Sequence, residues 1–431
     1  MPRPLHLEVT VASLAPGGDG VAHATVEGER RAVFVPGTAV GDVVRVEVDL
    51  SRRPARGRTV EQLSPGADRV APACAWSARC GGCDWMHVST AAQAATHAEH
   101  VRAALPAEWR SVDVASHPAA DALAYRTRTR LHVRCERGRV EVGMHEARTH
   151  DPVVVDTCVV LDPALEAGRR ALPALFVGSK GRGDAQLALG VGRVPVLELR
   201  WTGELAPVFF GRLEQATATG TLAGARVTIG DASRPAVVGD PTPWMRGADE
   251  LPLRLAPGGF GQASERMNAE LARHVAAVVR PWGIERAVEL YAGAGNLSVL
   301  LAREVRELVT VESSREACDA ARANLVAREL TARVVEADAD THAWSDATKL
   351  VVLDPPRTGA RSVAERLAGS RVAKVVYVSC DPQTLGRDLG VLAAAYAPTS
   401  VATFEMFPQT SHVEVVVTLE RQRPRKKDVH A

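Results

Sequence analysis

Two stretches of this chain carry side chains that could do chemistry together. Tyr377 to Leu389 reads YVSCDPQTLGRDL, an apolar run that ends in Cys380 and is followed at once by Asp-Pro. Phe407 to Val416 reads FPQTSHVEVV and places Glu414 at the start of a β-patterned run, two residues after His412. Ligands of open α/β sheets bind outside the carboxyl ends of the strands, which is where Cys380 falls. A thiolate nucleophile and a carboxylate base on neighbouring strand ends would suit covalent catalysis; the competing reading is a buried, inert cysteine. LDPPRTG, Leu353 to Gly359, sets Asp354 at another strand end, before two prolines that stiffen the turn and remove backbone donors.

A second constellation points to a cofactor. AGAGN, Ala292 to Asn296, follows a strand pattern, and Gly293 and Gly295 allow a tight turn with close approach of a ligand. Glu312 ends the next strand, LVTVE, where nucleotide-binding α/β folds place the acid that grips a ribose. A full GxGxxG is missing, which argues against a dinucleotide. S-adenosylmethionine fits, having a ribose to grip and no phosphate to cradle. Asp338 and Asp354 end the third and fourth strands; each acid taken singly could equally be a solvated strand end, but the ordered series is harder to dismiss.

The third constellation is CAWSARCGGC, in which Cys74, Cys80 and Cys83 need one further ligand to make four. Spacing alone leaves zinc and an iron–sulfur cluster evenly matched. Cys135 and Cys318 lie in a strand pattern and a helix pattern and are read as core, and His87 as packing.

The elements that must position these groups fall into three parts. Residues 1–64 alternate short β-runs with Gly-rich turns, which predicts a small OB-like barrel, and SPGAD then reads as a linker. Residues 65–254 predict an α+β domain with a helix from Thr90 to Leu105, strands in RLHVRC, RVEVGMH and PVLELRW, and surface turns at GSKGRGD and GDPTPW. From 255 to 421 strands alternate with helices, which implies a parallel sheet with crossover helices. A charged tail follows at 422–431.

Composition agrees with a globular protein: 431 residues, 46% hydrophobic and 24% charged. A net charge of +1 neither demands nor excludes a polyanion, but Ser51 to Arg58, Tyr125 to Arg139 and Arg421 to Lys427 are locally basic, which together favour a nucleic-acid surface. No apolar stretch has the length of a membrane span, so no membrane partner is expected and the reading is cytoplasmic. A monomer is the default.

The motifs GFGQAS (Gly259 to Ser264), ELYAGAGN, VVLDPPRTG, YVSCDPQTL and FPQTSHVE resemble the RNA 5-methyluridine methyltransferase family, and the amino-terminal barrel resembles the TRAM RNA-binding module. The resemblance implies a Rossmann-like class I methyltransferase domain behind an OB-like barrel and an α+β iron–sulfur domain, acting on tRNA or rRNA. It implies S-adenosylmethionine contacts from Gln262, Tyr291, Asn296, Glu312 and Asp354, with Cys380 as nucleophile and Glu414 as base. It also implies a 4Fe–4S cluster on Cys74, Cys80, Cys83 and Cys158, with zinc the weaker alternative. Ser264 departs from the family's Phe-x-Gln-x-Asn. Two rival readings are a methyltransferase acting on an exocyclic amine, for which Asp354-Pro355-Pro356-Arg357 with Cys380 is the wrong motif, and a non-catalytic iron–sulfur RNA-binding protein, against which Cys380 and Glu414 argue.

Overall fold

The computed structural model describes residues 5–422 apart from 27, 52 and 150. Strands β1 (Leu5–Leu14), β2 (Gly20–Val26), β3 (Glu29–Val35), β4 (Val43–Asp49) and β5 (Ala55–Ser64) close a barrel in the order β1-β2-β3-β5-β4. Side chains alternate across a strand, so Val9, Val33, Val35, Val44 and Val46 fill its interior.

The segment 65–254, expected as one domain, divides. After the cysteine loop come α1 (Thr90–Ala104) and β6 (Val114–His117), and β6 pairs in parallel with a strand near the end of the chain, Val114 opposite Val401. Residues 90–117 therefore belong with the C-terminal sheet. The rest builds a sheet of β7 (Arg128–Glu136), β8 (Arg139–His145), β9 (Pro152–Val153), β10 (Lys180–Leu189), β11 (Pro195–Glu204), β12 (Gly224–Ile229) and β13 (Ala236–Gly239), in the order β13-β12-β11-β10-β7-β8-β9. Helices α2 (Pro163–Leu175) and α3 (Phe209–Ala218) pack on one face of it, against Leu131, Leu187, Leu199 and Trp201.

GSKGRGD, expected as a surface turn, instead opens β10. A Cβ on Gly181 or Gly183 would come within 2.2 Å of a carbonyl of β11, so glycine here serves close strand approach rather than a bend.

The C-terminal domain begins with β14 (Trp244–Arg246), β15 (Pro252–Arg254) and α4 (Glu265–Val279). There follow β16 (Arg286–Leu290), α5 (Ser298–Glu304), β17 (Glu307–Glu312), α6 (Arg315–Val326), β18 (Arg333–Glu336), β19 (Leu350–Leu353), α7 (Arg361–Ala368), β20 (Lys374–Ser379), α8 (Pro382–Leu392), β21 (Tyr396–Phe404) and β22 (Glu414–Arg421). The sheet order is β18-β17-β16-β19-β20-β22-β21-β6. Because both faces are covered, its strands read as continuous apolar runs; Val375 to Val378 are all fully buried. The parallel sheet expected from alternation holds for β16 to β20, but β22 runs antiparallel to both neighbours. Among the described residues no helix is long and apolar enough to cross a membrane.

Candidate active site

The reversed direction of β22 assembles the site. A strand antiparallel to β20 begins at the edge where β20 ends, and Ser379 lies opposite Val415. Cys380 and Glu414, the residues next along each strand, thereby meet at the carboxyl edge of the sheet, beside Asp354 at the end of β19. Asp381 then caps α8, its Oδ1 accepting from the Gln383 and Thr384 backbone N–H at 2.9 and 2.8 Å, so the chain turns away and leaves Cys380 half-buried between strand and helix.

The electrostatics follow from burial. Glu414 is 1% exposed and its Oε2 lacks a partner within the protein. Burial pushes its carboxyl well above the usual range, Asp354 adds to this, and the Gln262 side-chain hydrogen bond and Arg357 oppose it. Burial likewise raises Asp354. The Cys380 thiol is pushed up to about 12, first by burial and then by Glu414, while Arg357 pulls the other way. A carboxyl that exchanges its proton closer to neutrality is matched to acid–base work.

Two loops hold these groups by contacts distant in sequence. Buried Asp388 accepts at Oδ2 from the Ala360 backbone N–H and the Tyr377 hydroxyl, both at 2.7 Å, which pins the Asp-Pro-Pro loop down. The Phe407 to His412 loop carries Gln409 at φ 72°, and Gln93 of α1 clamps it: Gln409 N donates to Gln93 Oε1 at 2.8 Å and Gln93 Nε2 donates to Gln409 Oε1 at 3.2 Å. The cysteine loop grips the same loop, with Trp85 N donating to Gln409 O at 3.0 Å and Ser411 donating through N and Oγ to the Asp84 carboxylate at 2.9 and 2.6 Å.

The residues expected to contact the cofactor gather at the ends of β16 and β17. Gly293 and Gly295 adopt φ of 55° and 86°, a left-handed turn that glycine enters without a Cβ penalty. Glu312 fixes this turn by accepting from Gly293 N at 3.0 Å and from Ser314 N at 2.8 Å. Tyr291, also at positive φ, donates its hydroxyl to Asp340 at 2.6 Å, one residue-pair along from Asp338. Asn296 and Asn268 exchange side-chain amide bonds at 2.8 Å, tying the turn to α4. Ser264 caps α4, its Oγ accepting from Met267 N at 3.3 Å. Serine and asparagine serve equally well as helix caps.

Cys74, Cys80, Cys83 and Cys158 line one small cavity of about 30 Å³ with Met86, Arg126 and Val160. Burial raises the Cys80 and Cys158 thiols and pushes Cys83 up to about 12. Among the described residues no group of three or more His, Cys, Asp or Glu is arranged around a single ion. Cys135 and Cys318 are buried in the core, and His87 packs toward the barrel at Thr38.

Residues 333–422 match the tRNA (Uracil-5-)-methyltransferase family model and residues 271–374 the Methyltransferase small domain. The chain is 32% identical to the 23S rRNA (uracil(1939)-C(5))-methyltransferase RlmD of Chromohalobacter salexigens, over 97% of this chain and 90% of that one. It belongs to the RNA uracil-C5 methyltransferase family. The RlmD of Pseudomonas putida is likewise 32% identical, across 94% of this chain and 91% of its own. The Pyrococcus abyssi tRNA (uracil-54, C5)-methyltransferase, solved in complex with S-adenosyl-L-homocysteine, shares the fold with a TM-score of 0.73, covering 96% of this chain and all of that one at 21% identity.

The uracil-C5 methyltransferase thus brings Cys380, Glu414, Asp354 and Gln262 together, while Tyr291, Asn296 and Glu312 surround the glycine turn. Sequence reasoning missed Arg357, Asp388, Gln93 and Asp84, which act through contacts remote in the chain. It also missed Glu289, buried near the end of β16 and bonded to Ser298 Oγ at 2.5 Å, whose signal was an acid inside an otherwise apolar strand.

Proposed function

We propose that this S-adenosylmethionine-dependent uracil-C5 methyltransferase acts on large-subunit ribosomal RNA, with Cys380 as nucleophile and Glu414 as base. The rRNA assignment rests on relatives named for a uracil of 23S rRNA and matched over nearly the whole chain. The observation that carries the mechanism is the meeting of Cys380 with buried Glu414 across β20 and β22.

Uracil C5 is too poor a nucleophile to take a methyl group unaided. Addition of the Cys380 thiolate at C6 forms an S–C6 bond and moves the C5=C6 electron pair into an enolate, which makes C5 nucleophilic. Burial opposes ionisation of the thiol, and Arg357 is the neighbour whose charge favours the thiolate. S-adenosylmethionine, when bound, supplies an electrophilic methyl group. Once C5 carries that methyl, Glu414 takes the C5 proton, the C5=C6 bond re-forms and the C6–S bond breaks, which returns the thiolate. A target within folded RNA must first be extruded from its stack.

Tyr291 and Glu312, around the turn at Gly293 and Gly295, are assigned to the cofactor, with Asn296 behind them and Asp354 between cofactor and base. Gln262, whose Oε1 is buried without a partner and whose side chain reaches Glu414, faces the reaction centre as well. Four thiols around one cavity fit a 4Fe–4S cluster, since four-thiolate ligation is what such clusters use; zinc is the rival. The cluster would be structural, because the methyl transfer needs no electron. The barrel at 1–64 is assigned to RNA binding as a TRAM module, residues 65–89 with 118–243 to the cluster domain, and residues 90–117 with 244–421 to methyl transfer, in a cytoplasmic monomer. The tail at 423–431 lies outside the described residues.

The test is trapping on 5-fluorouridine RNA, whose C5 fluorine cannot leave as a proton. An SDS-stable adduct at Cys380, dependent on S-adenosylmethionine, is expected with 23S rRNA. Its absence with cofactor present would overturn the mechanism, and an adduct formed only with tRNA would overturn the substrate assignment.

A further inference from the structure

The central sheet has helices on one face only, and its other face is a field of arginines. Residues directly opposite across strands share a face, so the register β7 to β10 to β11 places Arg134, Arg182 and Thr202 in one row, His132, Asp184 and Arg200 in the next, and Arg130, Gln186 and Glu198 in a third. Some of this charge is compensated: Arg134 pairs with Glu141, and His132 bonds Asp184 at 2.7 Å. Arg130, Arg182 and Arg200 are exposed, and among the described residues none of them has an ion pair. Like charges directly opposite in an antiparallel pair are destabilising, yet Arg182 stands opposite Arg134. Glu141 answers the charge of Arg134, whereas Arg182 keeps an unanswered charge beside it, which an anion lying across the strands would meet.

The face also leads to the reaction centre. Arg128, at one end of β7, donates to Gly259 O at 2.5 Å, and Arg226 of β12, opposite Glu198, donates to Pro257 O at 2.6 Å. Both anchor the loop that carries exposed Phe260 and then Gln262.

We propose that the open face of the central sheet is a phosphate-binding track, on which Arg130, Arg182 and Arg200 hold the RNA backbone flanking the target uridine. The proposal rests on the RNA-modifying function above and gives the central sheet a role in it. These arginines contact backbone, so they position the RNA and do not choose the base.

The test compares the intact enzyme with the combined variant Arg130→Gln, Arg182→Gln and Arg200→Gln, and with a second in which all three become Lys. Affinity for a labelled 23S rRNA transcript is measured against salt concentration. With single-stranded RNA each phosphate contact contributes about 0.7 to the slope of log affinity on log salt. The Gln variant should lose about 2 units of slope and at least tenfold in affinity at physiological salt. KM for RNA should rise with kcat and S-adenosylmethionine affinity unchanged, and the Lys variant should restore the slope. An unchanged slope, or an affinity loss with no change in slope, would overturn the track. A wild-type enzyme that shows the slope yet forms no 5-methyluridine would instead overturn the functional reading and leave the track standing.

Discussion

As the proposed base, Glu414 has to stay buried and still exchange a proton, which gives its replacement a recognisable signature. Glu414→Gln keeps the shape and the Gln262 contact but cannot take the C5 proton, so the RNA adduct on Cys380 should accumulate with natural uridine, visible as an SDS-stable band the wild type does not show. Cys380→Ala should form no adduct and no product while binding S-adenosylmethionine as before by calorimetry; product from that variant would sink the mechanism. Glu289 gives a stability counterpart. Burial pushes its carboxyl from an ordinary 4.5 up to about 8, so the folded chain holds a proton there that the unfolded chain has already released. Its stabilising contribution is complete below about 4.5 and is lost as pH rises through about 8. Tm should fall from pH 5.5 to pH 8.5, and Glu289→Gln should flatten the fall. At this scale Cys380, Glu414 and Glu312 were legible because each ends or begins an apolar strand. Arg357 and Asp388 were not, because nothing local marks a residue whose partner lies on another element.

Among the elements, the alternation of strand and helix from 286 onward was readable because burial on both sides makes each strand a continuous apolar run. The direction of β22 was not, since antiparallel and parallel buried strands have the same composition. Nor was β6, four residues long and paired with a strand far along the chain. GSKGRGD misled because glycines mark tight strand approach as readily as turns. The Asp-Pro-Pro loop shows what a single clamp does. Asp388→Ala would leave the Tyr377 hydroxyl buried without an acceptor and the Ala360 N–H with only the Tyr377 oxygen, at 3.1 Å, at a cost of about 2 kcal/mol. Denaturant unfolding should show that loss, and kcat should fall with it because the loop sets Asp354 and Arg357. A variant with wild-type stability would mean the clamp is dispensable.

Across the whole molecule, the cysteine loop is a keystone. Trp85 donates its indole N–H to Gly18 O of the barrel at 3.1 Å, while its backbone and Asp84 hold the loop that precedes Glu414. Cys83→Ser should therefore raise hydrogen exchange in residues 407–413 and leave the glycine turn at 292–296 protected; equal exchange at both, or at neither, would show the loop is not coupled to the cysteines. The excursion of α1 and β6 has its own consequence for how the chain comes to exist. Val114 leaves the ribosome long before Val401, so β6 must wait for its neighbour while the barrel and the central sheet can close around it. Pairings so distant in sequence slow folding. A nascent chain would therefore settle its barrel and central sheet first, and β6 would dock as an edge strand only after β21 had been made.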